Sequence, residues 1–194
     1  MIIDGFNPVR FGSPYFFTVF TPQIYHTRIL QVFLNDEPLS NYVVSLNGTD
    51  TESGQNFVLS FANALELASL FADASDADVM QVVTAYRDNR SGSVVSGEVI
   101  LTGSIDKIGF SEGGRSKSLV VYCRGEAQPR PQLIQHHVSG VEYYTLSDQG
   151  QSIRLPARMD IRIGDRVIFS GGELIVRRIS YTIDSMGAVM TISG

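Results

Sequence analysis

Residues 94–125, VVSGEVILTGSIDKIGFSEGGRSKSLVVYCRG, contain the pattern that decides the fold. From Val95 to Ile105, apolar residues and glycines alternate with polar residues, broken only at Ile100, and this period of two is typical of a strand with one buried face. A Gly-rich turn over 111–116 leads into a second alternating run that begins at Leu119. The stretch predicts a long β-hairpin. Because it contains no catalytic motif, it favours a role in shape and assembly.

The flanking sequence predicts further strands and a single helix. Between Asn63 and Ala74, apolar residues recur at helical spacing, and Glu66 stands where a capping-box partner of Asn63 is expected. In the segment 173–184 the apolar phase changes at Arg177, which predicts a β-bulge. Before the hairpin, strands are expected at 29–34, 42–46 and 55–61 and from Val79 onward, with turns at 35–38 and 47–50. After the hairpin, strands are expected at 143–146, 152–155, 159–163, 166–170, 173–184 and 188–192.

The pattern divides the chain into four parts. These are an N-terminal arm at 1–27, a β domain with the helix at 28–126, a Pro-containing linker at 127–137 and a smaller β domain at 138–194. The arm carries an uncharged aromatic run that prolines and polar residues interrupt, so it cannot span a membrane. We expect the arm either to pack on the β domain or to dock on a neighbouring subunit.

Composition narrows the possible functions. The formal net charge is −5, from 15 basic and 20 acidic residues, which disfavours binding of nucleic acid by neutralising its phosphates. The single cysteine, Cys123, excludes a disulfide within the chain and is expected in the core. The N-terminus lacks the pattern of a secretory signal, which predicts that the newly synthesised protein is released into a cytoplasm. Arginines near the C-terminus are expected on a solvated or subunit-contacting face: Arg154, Arg158, Arg162, Arg166, Arg177 and Arg178.

No set of residues has a catalytic, cofactor-binding or metal-binding signature. His136 and His137 are adjacent and point to opposite faces of a strand, and with His26 and one cysteine they supply no zinc set. A nucleophile motif is absent. The sequence therefore predicts a protein that is not an enzyme and has no cofactor. Other rejected candidates are Asp73, Asp76 and Asp78 as a calcium loop, 113–117 as a phosphate loop, and Glu98 with Glu112 or Asp106 with Asp165 as carboxylate pairs, which are expected to be solvated.

The order of elements from Gln31 to Gly125 resembles the tube-like domain of bacteriophage tail baseplate hub and distal tail proteins. The resemblance covers about half of the chain. Its most specific elements are Thr-Gly-x-Ile-Asp at 102–106 and Arg-Gly at 124–125. The remaining matched segments are 32–39, 57–60, the helix, 94–97 and 120–123.

The resemblance implies a mainly β fold. It implies a tail-tube-like barrel or sandwich with one flanking helix, whereas the small C-terminal barrel-like domain is predicted from the strand pattern of 138–194 and matches no known motif. It implies a structural subunit of a tail tip or baseplate, in a ring whose adjacent subunits continue their sheets around a lumen. DNA would pass without specific binding, because an excess of acidic residues would repel its phosphates. The same excess of acidic residues also favours ordinary solubility.

The resemblance also implies partners and a location. Hub proteins commonly carry two tube-like domains and form trimers, whereas this chain has room for one, so a six-fold ring is favoured over a trimer. The expected partners are further copies of the chain, the tail tube, the hub and the tape measure, in a virion tail assembled in the host bacterial cytoplasm. The alternatives left open are a β-sandwich module that binds a carbohydrate or a receptor, and a hydrolase of unrecognised type.

Overall fold

The longest strand is β6, Val94–Gly113, and the fold is organised around it. The structure is a computed structural model, and it describes residues 26–39, 43–62, 64–113, 116–127, 133–147, 150–158, 160–184 and 187–194. The first half of β6 pairs with β5 (Val79–Asp88) and the second half with β7 (Ser116–Gly125), both antiparallel. The predicted hairpin is present, but its turn is shorter than predicted, because the β6–β7 ladder continues to the pair Gly113↔Ser116.

The other described elements are one helix and a series of shorter strands. Before β5 they are β1 (His26–Leu34), β2 (Glu37–Pro38), β3 (Val43–Thr51), β4 (Gly54–Phe61) and the helix α1 (Ala64–Ala72). After β7 they are β8 (Gln135–His137), β9 (Tyr143–Ser147), β10 (Gly150–Pro156), β11 (Arg166–Phe169), β12 (Gly172–Ile175), β13 (Arg178–Asp184) and β14 (Gly187–Ser193).

Most strands belong to a single large sheet. It has 11 strands in the order β2-β1-β5-β6-β7-β4-β3-β13-β14-β10-β9. Within the described residues its end strands β2 and β9 do not pair, so the sheet is open and not closed into the implied barrel. A three-stranded sheet, β12-β11-β8, contains the parallel pair β8–β11. The predicted mainly β class with one helix is confirmed.

The two predicted β domains contribute strands to this same sheet. Strand β13, from the C-terminal part, pairs with β3 from Arg178↔Thr51 to Asp184↔Ser45. The division at 127–137 stays a prediction, because this pairing does not show whether either part folds alone. Residues 1–25 of the predicted arm lie outside the described residues. No helix in the described part of the chain is long and apolar enough to span a membrane.

The inner face of the large sheet forms the core. Alternate residues of the central strands β3, β4, β13 and β14 are buried on this face. Helix α1 covers part of the face, with the Phe71 ring 5.8 Å from that of Phe61. Burying each large apolar side chain contributes roughly 1.5–3 kcal/mol, so this layer is the main stabilising term. Its members include Phe57, Leu59, Phe61, Leu119, Val121, Cys123, Ile179, Tyr181, Met190 and Ile192, all buried.

Burial along β6 departs from the predicted alternation in its first half. Val95 is 66% exposed, whereas Ile100 and Leu101 are both buried. The register of β6 against β5 shifts at two places: Val82 pairs with Leu101 and Val83 with Val99, so Ile100 has no partner on β5, and a second shift separates Val83↔Val99 from Ala85↔Ser96. Register shifts of this kind interrupt the regular alternation of side chains along a strand. The predicted buried face therefore holds from Leu101 to Ile105 but is wrong for Val95 and Val99.

The predicted turn at 47–50 and the predicted β-bulge at Arg177 are both wrong. The turn predicted at 47–50 lies inside β3, because Leu46, Gly48 and Asp50 continue its inward face, and the chain turns at Glu52 instead. The phase change at Arg177 marks a strand break and not a bulge. There β12 ends, and β13 begins in the other sheet.

The strand predicted at 159–163 is also wrong in its described part, 160–163, which forms turns and loop. Its residues Asp160 and Arg162 enter polar contacts described below, whereas Ile161 and Ile163 are buried in the core. The turn between β1 and β2 lies within the predicted 35–38 but is shorter than predicted, because Glu37 and Pro38 already form β2. Asn35 and Asp36 have φ of 47° and 71° there, as a tight hairpin turn with positive φ at both central positions requires.

Candidate functional site on the large sheet

Near Ser104, β6 changes its pairing partner from β5 to β7. Two glycines at this point allow neighbouring strands to approach closely. A Cβ on Gly103 would lie 2.7 Å from the carbonyl of Arg124, and a Cβ on Gly125 would overlap the carbonyl of Thr102. No larger residue fits at either position unless a strand moves. These glycines belong to the Thr-Gly-x-Ile-Asp and Arg-Gly elements, so both elements mark a strand crossing.

Gln55 on β4 completes the hydrogen-bond ladder next to this crossing. It lies opposite Gly125, the last residue of β7, and is 1% exposed. Its Nε2 donates to the Ile100 carbonyl at 3.1 Å, and its Oε1 accepts from the Thr102 N–H at 3.0 Å. The side-chain amide thus substitutes for the peptide group of a strand. Sequence reasoning missed this role, although a polar residue at an inward position of an apolar strand was the available signal.

A buried carboxyl lies beside Gln55. Asp50 on β3 is 1% exposed, and its Oδ1 has no hydrogen-bond partner in the described part of the chain. Burial raises the pKa of Asp50 to about 6, although a hydrogen bond from Gln55 and the charge of Arg162 act in the opposite direction. Burial also raises the pKa of Tyr181, the inward residue of the adjacent strand β13. The inner face therefore contains a polar pocket within an apolar layer.

Arg162 connects the C-terminal part of the chain to β6. The residue is 7% exposed, and its guanidinium lies 3.5 Å from the Glu98 carboxylate and donates to the Val99 carbonyl at 3.4 Å. The prediction of a solvated or subunit-contacting face is wrong for Arg162, because its side chain is buried and its guanidinium pairs with Glu98, whose side chain is 74% exposed. It holds for Arg154 and Arg166, whose side chains are 55% and 51% exposed.

A second polar cluster joins the small sheet to the loop before β11. His136 Nε2 lies 2.9 Å from Asp165 Oδ2, and His136 Nδ1 lies 3.5 Å from Asp160 Oδ2. Asp165, which is fully buried, also accepts hydrogen bonds from the backbone N–H groups of Ile134 and Arg162. This set of bonds fixes the loop to the sheet. Asp165 is therefore an anchoring residue, and the prediction that it is solvated is wrong.

Arg158 binds the carboxylate of Asp160, which lies next to this cluster. Burial alone would raise the pKa of Asp160, but the hydrogen bonds and charge of Arg158, at 2.7 Å, outweigh it and the pKa is lowered. His137 is exposed while His136 is buried, which confirms that the two point to opposite faces. Among the described residues, no group of three His, Cys, Asp or Glu side chains is placed to hold a metal ion.

The outer face of the large sheet carries a shallow depression of about 450 Å³. Strands β13, β3, β4 and β7 form its floor, and β6 forms one side. Pairing places Asn47 between Val58 and Thr182, and places Asn56 directly opposite Arg124. The outward-facing lining residues are Asn47, Thr49, Asn56, Val58, Asp106, Tyr122, Arg124, Ser180 and Thr182. Asp106 is thus exposed as predicted, whereas Asp165 is buried.

Large apolar residues are exposed at an edge and along the longest strand. Tyr143 and Leu146 on the end strand β9 are 63% and 67% exposed, and Val95 and Phe110 on β6 are 66% and 62% exposed. Exposed apolar edges usually mark surfaces that another chain covers. Cys123 is 3% exposed, which confirms it as a core residue, and burial raises the pKa of its thiol to about 12.

No protein-family model and no curated protein sequence matches this chain. Two solved structures share its fold. One is the tail protein from Neisseria meningitidis MC58, with a TM-score of 0.57, 8% identity, and coverage of 86% of this chain and 95% of that chain. The other is the 43 kDa tail protein of prophage MuSo2 from Shewanella oneidensis, with a TM-score of 0.59, 8% identity, and coverage of 86% and 98%. The resemblance to phage tail proteins is confirmed at the level of the fold.

Proposed function

We propose that this chain is a structural component of a bacteriophage tail tip or baseplate, without enzymatic activity. In this role it forms a ring around the tail lumen that continues the tail tube toward the host-binding tip. The observation that carries the proposal is the fold shared with two tail proteins over 86% of the chain.

The exposed surfaces of the single chain support assembly. An open sheet leaves edges at β9 and at β2, and exposed edges are templates for pairing with another chain. Val95 and Phe110 add exposed apolar area on β6. A head-to-tail contact between two different surfaces generates a ring when its rotation closes. Six copies are favoured and three are the alternative, with the tail tube, the hub and the tape measure as neighbours.

The charge of the chain suits a lumen that does not retain DNA. With a net charge of −5, the protein has no excess of cations to neutralise phosphates. DNA would therefore pass without specific contacts. The chain would act in this way in the virion tail, after assembly in the host cytoplasm.

Charged substitutions at the exposed apolar residues test the proposed interface. Val95→Asp and Phe110→Asp should each convert the ring to monomers without lowering the thermal unfolding midpoint of the monomer, because both side chains are exposed. Leu70→Asp on α1, at a residue that is 37% exposed, is the matched control and should leave the ring intact. Rings that persist in both β6 variants would contradict an interface at β6.

A further inference from the structure

We propose that the depression on the outer face of the large sheet is a saccharide-binding site. The residues that would contact the ligand are Asn47, Asn56, Asp106, Tyr122 and Arg124. The proposal goes beyond the structural role described above, because a ring subunit needs no small ligand for its assembly.

The polar side chains of the depression keep their hydrogen-bonding capacity. Among the described residues, the side chains of Asn56, Asp106 and Arg124 form no hydrogen bond or ion pair. Asp106 and Arg124 have opposite charges and line the same depression, yet they are not paired. Amide, carboxylate and guanidinium groups together offer both donors and acceptors. Such a set matches a ligand that presents many hydroxyl groups.

A β-bulge brings Asp106 to the depression. The register between β6 and β7 passes from Ile105↔Cys123 to Lys107↔Tyr122, so Asp106 has no partner on β7. Bulges bend a strand and redirect a side chain, and they are common beside functional sites. The nearby crossing at Gly103 lets β6 approach β7 closely. Both features together place a carboxylate at the side of a floor whose one charged lining residue is Arg124.

Tyr122 adds an aromatic surface next to these groups. Its side chain is 41% exposed, and the Lys107 Nζ lies 5.9 Å from the ring centroid. Aromatic side chains offer an apolar face together with a polar tip, which suits the C–H face and the hydroxyls of a sugar ring. The depression spans four neighbouring floor strands, or about 15 Å at the usual strand spacing, which accommodates an oligosaccharide.

A nucleic acid fits the same surface less well. Arg124 and Lys107 could contact phosphates, but Asp106 lies in the same depression and would repel them. Sequence-tolerant binding of single strands also uses successive aromatic rings, and Tyr122 is the one exposed ring among the lining residues. A saccharide hydroxyl can accept from Arg124 and donate to Asp106, so it uses both charges.

Binding of polysaccharides by the full chain tests the proposal. Purified bacterial O-antigen and capsular polysaccharides are screened on an array, and the affinities of hits are measured by titration calorimetry. We expect at least one polysaccharide to bind, and Asn56→Ala and Tyr122→Ala to weaken that binding about tenfold each. Thr191→Ala on β14, also on the sheet's outer face but outside the depression, is the matched control and should leave the affinity unchanged.

Asp106→Asn distinguishes the two ligand classes. A saccharide loses a charged acceptor and binds more weakly, whereas a single-stranded DNA oligonucleotide loses a repulsive charge and binds more tightly. Tighter DNA binding by this variant, without polysaccharide binding by the native protein, overturns the proposal. It is equally overturned if no polysaccharide on the array binds, or if Asn56→Ala and Tyr122→Ala bind as well as the native chain. Circular dichroism verifies that each variant is folded.

Discussion

Replacing the buried Asp50 with Asn should stabilise the protein at neutral pH. In the folded state the pKa of Asp50 is about 6, compared with an ordinary value of 3.8. Each pH unit of difference corresponds to roughly 1.4 kcal/mol, so the ionised carboxylate lowers the unfolding free energy by up to about 3 kcal/mol. Asn keeps the shape without the charge but loses the attraction to Arg162. We therefore expect a gain of about 1–3 kcal/mol.

The gain should depend on pH in a defined direction. Because the folded-state pKa of Asp50 lies above 3.8, the folded protein retains a proton that the unfolded chain has lost between these values. The contribution of Asp50 to stability is therefore complete below about pH 4 and is lost as the pH rises through about 6. Asp50→Asn lacks this loss, so the difference between the variant and the native protein should be largest above pH 6 and small near pH 4.

Urea unfolding monitored by circular dichroism, repeated from about pH 4 to about pH 8, measures this difference. Asp76→Asn, at an exposed position in the loop after α1, is the matched control and should change stability little at any pH. The reasoning is refuted if Asp50→Asn is less stable than the native protein at pH 7. A stability difference that stays constant across the pH range would refute it equally.

Three further predictions concern the strand crossing, the Gln55 ladder and the buried thiol. Gly103→Ala and Gly125→Ala should each prevent folding or lower the unfolding free energy by about 3 kcal/mol or more. Gly109→Ala is the control and should be tolerated, because its Cβ would meet nothing closer than 3.9 Å. Equal thermal midpoints for all three variants would contradict the close approach of the strands at Gly103 and Gly125. Gln55→Leu should cost about 2–4 kcal/mol in urea unfolding, because the Ile100 carbonyl and the Thr102 N–H lose their partner, and an unchanged midpoint would count against this role. Cys123, with its pKa raised to about 12, should react with a thiol reagent at pH 8 only when urea unfolds the protein, so rapid labelling of the native chain would disprove its burial.

The sequence predicted the elements whose patterns are local. The alternation in β4 and β7 and the helical spacing in α1 each follow from one segment, so these elements were found within a few residues. The errors occur where distant strands determine the outcome. The shift at Ile100 depends on the register with β5, and the continuation of β3 through Asn47 to Asp50 depends on its pairing with β4 and β13.

The candidate site could be predicted only in part. The Thr-Gly-x-Ile-Asp and Arg-Gly elements were recognised, but their meaning as one crossing requires that Gly103 and Gly125 meet across strands. The depression combines residues from strands that are far apart in the chain, so no local pattern groups Asn47 with Arg124. Arg162 resembled its neighbouring arginines in sequence, and only the packing of its loop against β6 distinguishes it as buried.

The mass of the purified full chain, measured by size-exclusion chromatography with light scattering and followed by negative-stain imaging of the main peak, tests the proposed tail role most directly. The account predicts a closed ring of six copies, or of three, with a central hole. A monomer at every concentration, both alone and after addition of tail-tube protein, would contradict it.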